Sequence, residues 1–339
     1  MRPGARLLFG AAVIVGGGAR AAAPPPLRQV AVIPLPGVEK RIDHMAIDPA
    51  GKRLFVSALG NGTLEVIDLA AGKRVRSVPG LAEPQGVAFL PAQHEVIVAN
   101  TGGTVVAFDD SSYRVLATIP GMDDADNLRV DNAAHPLRLY VGYGDGALGV
   151  IDPAGMKRLA DIGLPGHPES FRLEEAGPRT YVNVPRTKEV LVVDRQTRAI
   201  TAHIPITGFA KNYPMSLDER GHRLFVGVRA PPRLLVLDTQ SGQRLADASC
   251  VGDTDDLFFD AARDRVYVIG GEGFVDVFDT SDEAHLARVA RLATAPGART
   301  GLWSPEIGQL FVAAPHRGAR QAAILVFEAA GHFTGGPGR

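Results

Sequence analysis

Seven times along 339 residues, at spacings of 41 to 44, a polar residue is followed by a short apolar-alternating run that usually ends in an acid. The segments are DHMAID, PQGVAF, DNLRVD, ESFRLE, YPMSLD, DDLFFD and RTGLWS, with His44, Gln85, Asn127, Ser170, Pro214, Asp256 and Thr300 as their register residues. A period near 40 with about four strand-length runs per unit is the mark of a β-propeller. Where the repeats agree they build blades, so function is to be sought where they differ.

Each unit continues with a turn and a second strand, such as RLFVSA (53–58), RLYVGY (138–143) or RVYVIG (265–270). Period-two alternation rich in Val, Tyr and Phe makes these strands. Third strands such as TLEVID, EVLVVD and FVDVFD follow, and then a turn and a fourth strand. The last unit offers only three strands before the tail GHFTGGPGR. Its fourth is expected from LRQVAVIPL (27–35), which would close the ring and remove its open edges. The expected fold is all-β: a seven-bladed β-propeller of four antiparallel strands per blade over residues 22–330, with 331–339 as a flexible tail.

The first residues read as a targeting segment. MRPGAR carries two arginines, LLFGAAVIVGGGA is apolar, and Ala19-Arg20-Ala21 offers a small-x-small cleavage pattern, so 1–21 is expected to be a signal peptide. No later apolar run reaches 18 residues, which argues against a membrane span. Without Arg2, Arg6 and Arg20 the chain has 33 Lys plus Arg against 37 Asp plus Glu, with no basic run. That balance argues against nucleic acid as a partner. The single Cys250, in ASCVGD, reads as a buried small hydrophobe.

RLFVSALGNGTLEVIDLAAGKRV (53–75) resembles the YVTN-type repeat of YncE-like seven-bladed propellers, and the likeness extends over almost the whole mature chain. The resemblance implies an exported, periplasmic or secreted protein, in a family that includes companions of redox or binding systems. The chain departs from the consensus, with FVSA, YVGY, YVNV and FVGV where YVTN would stand.

The recurring acids, among them Asp48, Glu174 and Asp218 after first strands and Asp68, Asp109 and Asp238 after third strands, precede turns and are expected to cap backbone amides there. The residues entering the first strands repeat neither in type nor in sign. They are Asp43 and His44, Gln85, Asp126 and Asn127, His167 and Glu169, Lys211 and Asn212, Asp255 and Asp256, and Arg299. In a propeller these loops ring one mouth of the central channel, so they form the candidate site. Asp43, Gln85, Asp126, Lys211, Asp255 and Arg299 would contact a ligand. Loops between second and third strands share that face and bring basic residues led by Arg229 and Arg317, an arc suited to an anionic ligand or acidic partner. As mouth residues, His44, Glu169 and Asp256 are expected to tolerate alanine at a cost under about 0.5 kcal/mol.

Three functions fit these residues. The first is an exported binding or accessory propeller, expected to be monomeric, for a small molecule or a periplasmic protein. The second is a metal-dependent lactonase or ester hydrolase, by resemblance to propeller lactonases. Asn127, Glu169, Asn212 and Asp256 would hold a divalent metal (calcium, zinc or copper), and His44 or His167 would be the catalytic base. The third is an accessory subunit of a periplasmic oxidoreductase. With no CxxCH there is no attachment motif for covalent haem.

Overall fold

A computed structural model describes residues 25–282 and 285–330, so the expected signal peptide and tail lie outside the described residues. The chain forms seven four-stranded antiparallel sheets. Six are built from consecutive strands, and the seventh has the order Leu27–Pro34, Ala323–Ala329, Gln309–Ala314, Gly301–Ser304. The seven innermost strands begin at Met45, Pro84, Leu128, Ser170, Ala210, Thr254 and Gly301, and each touches the inner strand on either side, the last touching the first. The fold is a closed seven-bladed propeller, and its N-terminal strand supplies the outer strand of blade seven. No helix of the described residues is long and apolar enough to cross a membrane.

The apolar alternation acquires its meaning at the blade interfaces. Buried side chains divide into seven clusters, one between each pair of adjacent blades. Within RLFVSA, Leu54 and Val56 pack toward blade seven beside Ile324 and Val326, while the intervening Phe55 packs toward blade two beside Val87 and Val98. Successive residues of a strand point to opposite faces, and a sheet clamped between two neighbours must be apolar on both. Second strands are therefore buried along nearly their whole length, and fourth strands, at the rim, are mostly exposed.

The turn acids do more than cap turns. Asp48 and Asp218 accept the amides of Gly51 at 2.9 Å and Gly221 at 3.0 Å. Each also grips the arginine that opens the next strand, Arg53 or Arg223, at 2.9 Å. Those guanidinium groups reach on to the following blade, Arg53 to the Asp110 carboxylate at 2.8 Å and Arg223 to the Thr280 carbonyl at 2.6 Å. Glu174, Arg179 and the Thr239 carbonyl repeat the arrangement between blades four and five. The end of the ring away from the mouth is thus stitched by a recurring acid and arginine clasp.

Pairing also corrects the repeat register in blade two. Val87 lies opposite Val98 as Met45 lies opposite Val56, so Gly86, and not Gln85, is the counterpart of His44. A Cβ on Gly86 would sit 2.1 Å from the Asp126 carbonyl oxygen, so blade three can approach only because no side chain is there.

Candidate functional site

With that register, one residue of each blade stands just before the inner-strand position that packs between blades: Asp43, Gln85, Asp126, Glu169, Tyr213, Asp255 and Arg299. These residues encircle the mouth of the channel. Five are ionisable at ordinary pH, and no two neighbouring blades repeat a residue.

Histidines organise one half of the mouth. His44 places Nδ1 3.3 Å from Asp256 and Nε2 3.6 Å from Asp126 and 3.8 Å from Asp43. His167 sets Nδ1 2.7 Å from the Gly144 carbonyl and 3.5 Å from Asp124, with Nε2 4.0 Å from Asp126. Burial works against a charged imidazole, yet Asp256 and Asp43 outweigh it and hold His44 well above its ordinary range. The same opposition, won by Asp126, the Gly144 carbonyl and Asp124, puts His167 up to about 9. Burial would likewise favour a neutral Asp126, but the two imidazoles keep it well below the usual carboxylate range.

Arginines organise the other half. Asp255 lies 2.6 Å from Arg229, 3.0 Å from Arg299 and 3.6 Å from Arg41, and Asp253 takes further contacts from Arg229 at 3.5 Å and Arg299 at 3.2 Å. Arg229 also lies over the Tyr213 ring, 3.9 Å from its centroid. Arg41 comes within 2.9 Å of Asp43, whose carboxylate is fully buried and has no hydrogen-bond partner for either oxygen. Burial pushes Asp43 up to about 6 despite His44 and Arg41.

Glu169 stands apart. Its carboxylate makes no hydrogen bond or ion pair with any described residue. Burial first, and then the charge of Asp126, raise it to about 7.

Several expected site residues are exposed or engaged in holding the fold. Lys211 is exposed near the start of the inner strand Ala210–Asp218, with a left-handed φ of 62° where the pairing register is irregular. Asn212 is fully buried, donating to Asn183 Oδ1 and to the Glu189 carbonyl at 3.0 Å each, so it braces blades four and five. Asn127 donates to the Glu169 carbonyl and accepts from Arg129 at 2.7 Å. Asp256 accepts the Gly301 amide at 2.9 Å, which makes it a link to blade seven, and the expectation that its loss leaves folding intact is withdrawn. Gln85 bonds Thr101 in its own blade at 2.7 Å.

Of the expected metal quartet, Asn127, Asn212 and Asp256 are therefore each hydrogen-bonded to a neighbouring blade. Among the described residues no group of three or more His, Cys, Asp or Glu side chains is arranged to hold one. The basic arc is also dispersed. Arg229 faces Asp255, Arg233 pairs with Asp247, Arg320 binds the carbonyls of Pro296 and Pro315, and Arg317 is exposed.

Arg41, Tyr213 and the inner-strand Arg129 and Arg172 were not picked out from the sequence. The signal for the last two lies in the repeat, because LRVD and FRLE carry arginine where the other inner strands have Ala, Ser, Phe or Leu. No model of a known protein family matches the chain, and no curated protein matches it.

Proposed function

We propose that this chain is an exported binding propeller of the YVTN type whose channel mouth receives a cationic nitrogen, carried by a small molecule or by a periplasmic protein. The observation that supports it is the carboxylate of Glu169, which no side chain binds directly, although the charges of His167 and Arg229 reach it. A half-buried carboxylate with no direct ion pair favours a ligand that brings one. Paired arginines and histidines fix the surrounding carboxylates, so the site is rigid before the ligand arrives. A channel metal and a hydrolytic step do not enter this reading, since Asn212 and Asp256 are committed to holding blades together.

Calorimetric titration of the full chain with a panel of small primary and methylated amines tests the proposal. Cation binding must ionise Glu169, so the heat measured at pH 6 should depend on the buffer's ionisation enthalpy through release of a proton, and at pH 8 it should not. Glu169→Gln should weaken binding at least tenfold. Binding that is unchanged in that variant, or that carries no proton release at pH 6, would count against the mouth as a cation site.

A further inference from the structure

Below the mouth, the inner strands of blades three and four each carry an arginine, and the Arg129 guanidinium lies over the Phe171 ring of blade four, 5.6 Å from its centroid. Arg129 donates to Asn127 Oδ1 at 2.7 Å and to the Leu128 carbonyl at 2.8 Å, and its Nε has no partner. Arg172 makes no hydrogen bond or ion pair with any described residue. Burial first, and then the like charge of Arg172, bring Arg129 down to about 9 against the opposing charges of Asp256 and Asp126. A guanidinium offers five N–H donors in a planar fork, and leaving them without acceptors away from bulk water is costly.

The surroundings make room for an acceptor from outside. Arg129 and Arg172 together line a cleft of about 150 Å³. Arg172 also lines a cavity of about 830 Å³ between blades four and five, at the end of the ring away from the acidic mouth. The carboxylates along that cavity are already occupied. Glu174 is held by Arg179 at 2.7 Å and by the Tyr181 hydroxyl at 2.9 Å, and Asp218 by Arg223 at 2.8 Å. Glu219 accepts the amides of Glu175 at 2.7 Å and Ala176 at 2.9 Å.

We propose that Arg129 and Arg172 form an anion site inside the channel, entered from the face opposite the mouth, which takes a small oxyanion such as a phosphate or carboxylate group. The unpaired fork of Arg172 suits two oxygens of such a group, and Arg129 adds charge from the adjoining blade. The two ends of one channel then differ in sign: carboxylate-rich where the loops converge, and cationic within.

Inorganic phosphate and acetate are titrated separately into the full chain at low, fixed ionic strength, with chloride as the control for charge screening. Saturable binding is expected for at least one of them, weakened at least tenfold by Arg172→Gln and by Arg129→Gln. Phosphate alone would assign a phosphate group, and acetate alone a carboxylate. Melting temperatures provide a readout independent of affinity. Without anion, Arg172→Gln should melt at or above the parent temperature, because it loses a half-buried charge that no side chain binds directly. The anion that binds should raise the melting temperature of the parent and not of that variant. Saturable binding by neither anion, equal binding to Arg172→Gln, or a lowered melting temperature in the anion-free variant would each overturn the proposal.

Discussion

Nδ1 of His44, in blade one, stands 3.3 Å from the carboxylate of Asp256, in blade six. The contact reaches past blade seven, whose Gly301 amide is bound by the same Asp256 oxygen at 2.9 Å. Since Nε2 faces Asp126 of blade three, a single imidazole ties together residues from both sides of the mouth. Side chains that span the ring hold blades together as well as shaping the proposed binding mouth, and substitution is the means of separating the two.

Asp256→Ala should therefore destabilise the protein, by about 1–3 kcal/mol, because a buried amide loses its acceptor and His44 loses a counter-charge. Glu169→Ala should do the opposite at pH 8. With no partner to lose, it removes a carboxylate whose raised pKa makes ionisation unfavourable in the folded state, and stability should rise by roughly 1–2 kcal/mol. Urea unfolding of the two variants checks the contrast, and equal destabilisation would contradict it.

The histidines set a pH dependence whose sign is fixed. His167 titrates near 9 in the folded protein against about 6.5 when unfolded, and His44 is displaced in the same direction. Their contribution is complete below about pH 6.5 and is lost as pH rises through about 9. Glu169, raised to about 7, adds its own loss between about pH 4.3 and 7. Stability measured by denaturant titration should accordingly decline from pH 6 to pH 10, and His167→Gln should flatten the upper part of that decline by roughly 2 kcal/mol. A His167→Gln profile parallel to the parent's would show that the imidazole does not carry this dependence.

Cys250 is buried against the blade five and blade six interface, beside Val251 and Phe278. Burial pushes its thiol up to about 12, so almost no thiolate exists near neutrality. A thiol reagent should leave Cys250 unmodified for hours in the folded protein and modify it fully in denaturant. Rapid labelling under native conditions would mean that this interface opens readily.

The architecture was readable because blade construction repeats: each second strand must be apolar on both faces, and in blades one, four and five a turn acid grips the arginine that opens the second strand, so residues of the same kind recur every 41 to 44 positions. The mouth repeats in position but not in residue, and there a one-residue slip decides which side chain is counted. Gly86 could not be told from Gln85 by pattern, since what selects glycine is the Asp126 carbonyl of the neighbouring blade. Asn212 and Lys211 are polar neighbours in sequence, yet one is sealed between blades and the other faces solvent. Periodicity carries no record of such cross-blade contacts, and Tyr213, the mouth residue of blade five, was passed over for that reason.

Ring closure offers the most direct test of the fold as a cooperative unit. Leu27–Pro34 pairs along its length with Ala323–Ala329, joining the two ends of the described chain within one sheet. Leu27 is fully buried with Phe327 and Trp303, and Ile33 is buried with Ile324 on the side of blade one. Leu27→Ala should cost about 2–5 kcal/mol, as for other large-to-small changes in a packed core. Exposed Val32 of the same strand, changed to Thr, should move stability by less than about 0.5 kcal/mol. If the ring behaves as a unit, Leu27→Ala should lower one unfolding transition followed alike by Trp303 fluorescence in blade seven and by exposure of Cys250 between blades five and six. A Trp303 transition that moves while the Cys250 transition stays in place would mean instead that blade seven detaches first and the remaining blades stand without closure.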